Sequence, residues 1–416
     1  MAKYSEIFDW IDQGQTEMVE RVQAWSLINT SSLNIEGLKA FGEVIEEAFS
    51  CLGAKLTIHD LPYGRRVADD GRIINVPYGP LYHFSKRPEA NRRVLMTGHL
   101  DTVFGKDHSF QTPLFLDDNT LNGPGVADMK GGIIVMLKAL EALEKFEGAD
   151  NIGYDILLSP DEETGSLASA PYLSEFAKRA NFGMTYEPAL ADGTLAGDRK
   201  GSGNFTVIVK GRSAHAGREI EKGRNAVVAL SHIILELEAL NGKKENLTLN
   251  PASIHGGVAN NVVPDMALLH FNIRVGNDDE QLWVENEIEK ILNKENKKNG
   301  ISVEFHGSFN RPPKKLTKNN IRLFEILKEC GTELDIDISW TPTGGCCEGN
   351  NLAAVGLPNI DTLGVRGGKI HSPQEFVLVD SFSERAKLSA KLLMKYASGE
   401  FEIYREKDCT TGEGQV

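Results

Sequence analysis

Short apolar runs that end in Gly, His or an acid, separated by amphipathic segments, constrain the first 200 residues more than any other feature. "RRVLMTG" leads into His99, "YDILLSP" into Asp161-Glu162-Glu163, and "FGMTY" into Glu187. Between them "GGIIVMLKALEALEKF" and "SAPYLSEFAKRA" repeat apolar residues at helical spacing, as do Phe8, Ile11, Met18 and Val22, and then Leu38 to Phe49. Strand signals separated by helix signals imply an α/β fold with a mostly parallel sheet flanked by helices. Such sheets collect ligands beyond the carboxyl ends of their strands.

The pattern changes between 201 and 315. "GNFTVIVKG", "LTLNPASIHGG", "DMALLHFNIRV" and "ISVEFHG" read as strands, and "NAVVALSHIILELEAL" and "EQLWVENEIEKILNKENK" as helices. Their order, β-α-β-β-α-β, is a two-layer, ferredoxin-like α/β unit. Helix-strand alternation resumes after "RPPKKLTK". The expected organisation is therefore a discontinuous domain of residues 1–200 and 316–400, an inserted domain of 201–315, and a mobile tail at 401–416. Two domains also suit a chain of 416 residues.

A net charge of −14 argues against nucleic-acid partners and offers no basic membrane patch. No stretch approaches the ~18 apolar residues of a membrane-spanning helix. The N-terminus lacks the apolar core of a signal peptide. Five cysteines, with no CxxC pair, suit a reducing compartment, and a cytoplasmic location is expected.

The strand ends carry the chemistry. His99-Leu100-Asp101, Asp128 within "GPGVADMKGG", Asp161-Glu162-Glu163, Glu187, and His371 within "GVRGGKIHSPQEF" all lie where a parallel sheet would converge them. Each feature alone also fits a solvated turn or a helix cap. Together they form a His/carboxylate set without Cys, suited to zinc, with cobalt or manganese as alternatives. Asp101, two residues after His99, is placed to accept one imidazole N–H and orient the ring.

In order, "GHLDTVF", "GPGVADMKGG", "DEETGS", "YEPA", "SAHAG", "GGVANNVVP" and "TGG…H" resemble the signatures of the M20 metallopeptidases and amidohydrolases. The resemblance is strongest to the glutamate carboxypeptidase branch; acetylornithine deacetylases and succinyl-diaminopimelate desuccinylases are relatives. It implies two Zn²⁺ ions, one held by His99 and Glu187, the other by Glu163 and His371, with Asp128 bridging. It further implies that Glu162 is the general base for water attack on a zinc-polarised amide. His215 would steady the oxyanion from the partner subunit of a homodimer built on the inserted domain; the plainer reading makes it a turn residue.

Arg274 and Asn261 match family positions that bind a substrate carboxylate, and an Arg fork suits that task; a salt bridge on a sheet face is the alternative for Arg274. Gly344, Gly345, Gly367 and Gly368 would let backbone approach the ligand. The expected substrate is a small N-acyl amino acid or short peptide. A dipeptidase or aminopeptidase is the rival, and a non-catalytic binding protein a more distant one. "TPTGGCCEGN" departs from the family by placing Glu348 where relatives usually have Asp, after Cys346-Cys347. The two cysteines could line the pocket, attract metal, or be small buried residues.

Overall fold

The computed structural model describes residues 4–405. A six-stranded sheet runs in the order Lys55–His59, Leu81–Lys86, Gly153–Ser159, Arg93–His99, Phe182–Thr185 and Asn359–Ile360. The last four of these are mutually parallel, and Lys55–His59 and Leu81–Lys86 form an antiparallel edge. Arg93–His99 is buried at every residue because both faces are covered. On one face Val94, Met96, Ile156 and Leu158 meet the helix Lys130–Glu144, which itself packs against Ser381–Ala397. On the other, Leu95 and Leu157 meet Ala170–Ala177 and Leu352. The sequence from 153 crosses to one side of Arg93–His99 and that from 182 to the other, so the crevice forms at their shared carboxyl ends.

A second, antiparallel sheet has the order Thr248–Gly256, Met266–Val275, Gly201–Lys210, Ser302–Arg311. Phe205, Val207 and Val209 point to the helices Ala226–Glu238 and Asp278–Asn296, in a core separate from the first. The even-numbered residues of Gly201–Lys210 face the opposite way. This is the expected β-α-β-β-α-β order.

Of the mobile tail expected at 401–416, residues 401–405 are described. Phe401 and Ile403 are buried in the main core, which anchors the chain at least that far; residues 406–416 lie outside the described residues.

Candidate metal centre

Three loops leave the sheet at its carboxyl edge and bring their acids together. His99 ends its strand with its Nε2 3.1 Å from Asp128 Oδ1 and 3.8 Å from Glu187 Oε1. The other oxygen of the same Asp128 carboxylate, Oδ2, lies 3.3 Å from His371 Nε2, which is also 3.0 Å from Glu163 Oε2. Two triads result, His99–Asp128–Glu187 and Asp128–Glu163–His371, each with ligand atoms within 4.8 Å of one another. Asp128 belongs to both. All are buried except Glu163, of intermediate burial with a buried side chain, and the exposed His371, whose backbone has φ +62°.

Buried carboxylates hold the loops in place. Asp101 accepts the N–H groups of Glu162 and Glu163 at 3.1 Å each and the Ser32 hydroxyl at 2.7 Å. The His99 Nδ1 is nearest the Asp101 backbone carbonyl, at 2.9 Å, with the carboxylate at 3.5 Å. Asp101 therefore fixes the ring mainly through its main chain and the acidic turn through its side chain. Asp161 turns away and accepts the N–H groups of Ala168 and Ser169. Gly165 has φ +100°, a backbone conformation that strains any residue with a side chain.

The electrostatics call for cations. Burial, reinforced by Asp128, pushes Glu163 up to about 8, and burial with the charges of Asp128 and Glu162 pushes Glu187 well above the carboxylate range. Burial alone would raise Asp128, yet His371 and His99 hold it well below its usual value. His371 is carried up to about 11 by hydrogen bonds to Asp128 and Glu163. Three carboxylates this close share protons unless a cation replaces them. Oxygen and imidazole donors without a thiol suit a divalent transition metal, and the residues present fit one.

An adjoining cavity of about 560 Å³ is lined by Asp128, Glu162, Glu187, Arg199, Arg274 and Cys346, among others. Arg274 Nη1 donates to Cys346 Sγ at 3.0 Å and its Nε to Asn272 Oδ1 at 3.0 Å. Of the glycines, Gly345 lines the cavity. Gly367 is buried in the strand Arg366–Gly368, where a Cβ would strike Phe376 O at 2.3 Å, and Gly344 has open space around it. Gly368 is the last residue of that strand, paired with Phe376. His215 and Asn261 are exposed and lie side by side on the inserted domain, joined by the bridge of His215 to Val262 and the Ala216 N–H to Asn261 O bond. Neither lines this cavity within the single chain. Cys347 is buried, with its sulfur accepting from the Gly349 N–H.

Sequence reasoning missed three buried partners. Arg311 ends its strand in the second sheet, and its Nη2 donates to Glu162 Oε1 at 2.6 Å and to the Glu162 carbonyl at 2.9 Å. Glu375 accepts the N–H groups of Gly125, Ala127 and Asp128, so it holds the loop that presents Asp128. Asp361 joins Arg199 at 2.9 Å and the fully buried Lys314 at 2.7 Å behind the cavity wall. Proximity of Glu375 to His371 was the one available signal.

The fold and site define a metal-dependent hydrolase, and residues 95–395 match the family described as Peptidase family M20/M25/M40. The chain belongs to that family. It is 27% identical to carboxypeptidase G2 of Pseudomonas sp. (strain RS-16) over 408 residues, covering 94% of this chain and 92% of the relative. It is 25% identical to succinyl-diaminopimelate desuccinylase of Psychrobacter sp. (strain PRwf-1), covering 87% and 92%. A tripeptidase from Staphylococcus aureus subsp. aureus Mu50 shares the fold, with a TM-score of 0.73 at 20% identity, over 92% of this chain and 99% of that one.

Proposed function

We propose that this chain hydrolyses an amide or peptide bond next to a free carboxylate, using two zinc ions held by His99 and Glu187, by Glu163 and His371, and jointly by Asp128. The observation that carries the reading is the single Asp128 carboxylate facing a histidine with each oxygen, at 3.1 and 3.3 Å. When bound, paired ions supply Lewis-acid polarisation of the amide carbonyl and acidify water.

The chain's own residues do the rest. Glu162, at the cavity wall and fixed by Arg311, takes the proton from attacking water and returns it to the leaving amine. Arg274, also in the wall, pairs with the substrate carboxylate in place of Cys346. Residues 201–315 form the inserted domain, which carries His215 and Asn261 and joins two subunits so that His215 reaches the neighbouring site. The relatives named carboxypeptidase and desuccinylase support this reading over an aminopeptidase.

The test is a panel of N-acyl amino acids, peptides ending in Glu, and free dipeptides, assayed on zinc-loaded wild type and Arg274→Ala. Carboxylate substrates should turn over, with the variant raising KM more than it lowers kcat. Turnover confined to substrates without a free carboxylate would overturn the assignment.

A further inference from the structure

A second group of metal-ligating side chains lies outside the catalytic centre, where the hairpin Gly64–Val67/Ile73–Val76 rests on the second sheet. The hairpin belongs to the first domain by sequence, lying between the strands Lys55–His59 and Leu81–Lys86 of the six-stranded sheet. It packs through Val67 onto Ile208 and Leu268, on the sheet face turned away from the helices. Its tip is closed by the Ala68 N–H to Arg72 O and Gly71 N–H to Ala68 O bonds, with Gly71 at φ +78° beside Met266. This turn sets Asp69 over two histidines of the sheet.

His255 pairs across the ladder with Leu268, which makes it the diagonal neighbour of His270 on the same face. Asp69 Oδ1 stands 3.6 Å from His255 Nε2 and 3.6 Å from His270 Nε2. All three ligand atoms lie within 4.8 Å of one another. A separation of 3.6 Å is too long for a hydrogen bond. It is close to the ~3.3 Å between two ligands of one tetrahedral zinc at ordinary zinc–nitrogen and zinc–oxygen lengths. The two rings are set at 70°, so they do not stack on each other.

His270 is also prepared for coordination from behind. Its Nδ1 is 2.7 Å from Thr206 Oγ1, which orients the ring and leaves Nε2 turned to Asp69. Burial lowers its pKa below the usual imidazole value, against the raising effect of Asp69. Neutral imidazole is the form that binds metal.

We propose that Asp69, His255 and His270 form a separate site for a divalent transition ion of the zinc, nickel or copper type, one that ties the hairpin to the inserted sheet. Two imidazoles and one carboxylate select such ions over magnesium or calcium, which take oxygen ligands. The remaining coordination positions open to water, because Asp69 is 71% exposed. The ion would link a segment of the first domain to the sheet that carries Arg274 and Arg311, limiting their relative movement. The site shares no residue with the catalytic centre.

Equilibrium dialysis of the full chain against Zn²⁺, followed by elemental analysis, tests this on wild type, Asp69→Ala and His255→Ala. Both substitutions are at solvent-accessible side chains. Wild type should retain one equivalent of zinc more than either variant, while all three proteins keep equal turnover. Trypsin should cleave after Arg65, Arg66 or Arg72 more slowly in zinc-loaded wild type than in zinc-loaded variants. Equal stoichiometry and equal cleavage in the three proteins would overturn the proposal. Because the readout is a difference between proteins, it stands apart from however many ions the catalytic centre holds.

Discussion

Three neighbouring acids at one strand end divide by direction. Asp161 caps the following turn, Glu163 faces His371, and Glu162 meets Arg311 at the cavity wall. Removing the charge of Glu162 while keeping its shape isolates its part in proton transfer. Glu162→Gln should retain metal, as read by elemental analysis, while kcat falls by roughly 10²–10⁴, the ordinary contribution of a general base. A rate within a few-fold of wild type would remove Glu162 from that role. Asp161, Glu162, Glu163 and Glu187 could be read in the sequence because they follow the apolar runs of strands, whereas Asp128 stood out only by its Gly-rich loop before a helix. Arg311 could not: its partner Glu162 lies 149 residues earlier, and only the packing of the second sheet against the first domain joins them.

At the scale of elements, the strands and helices were legible because apolar periodicity follows burial. The βαββαβ order of the second sheet appears as its sequence pattern implies. Less legible was the helix Glu348–Ala354, where an acid stands at the first helical position yet is completely buried. Ser159 donates to its Oε1 at 2.5 Å, and Oε2 has no hydrogen-bond partner among the described residues. Burial raises Glu348 to about 8, so the folded chain holds its proton where an unfolded chain has lost it. The stability this proton gives is complete below the ordinary value near 4.5 and lost as pH rises through 8. Unfolding free energies of chelated wild type, from denaturant titrations, should therefore fall between pH 5 and 8.5 relative to Glu348→Gln. The difference should be ~1–4 kcal/mol, given one pKa unit per ~1.4 kcal/mol. Parallel pH curves for the two proteins would show that Glu348 is ionised at neutral pH.

For the whole molecule, a single chain brings the candidate metal ligands together but leaves His215 and Asn261 exposed, beside each other and outside the cavity lining. The proposed homodimer supplies His215 from the neighbouring subunit, and subunit mixing tests it. Glu162→Gln and His215→Ala chains, each nearly inactive alone, should on co-refolding recover about a quarter of wild-type turnover. Random pairing makes half the dimers mixed, with one complete site each. No recovery would place His215 in its own subunit's site or outside catalysis.

The central claim is that Asp128 lies between two ions. Zinc-loaded crystals measured above and below the zinc absorption edge would locate each ion directly. The account predicts two anomalous peaks ~3.5–4 Å apart, one beside His99 and Glu187, the other beside Glu163 and His371, with an Asp128 oxygen on each. A single peak at full zinc occupancy, or a pair that Asp128 does not bridge, would contradict it.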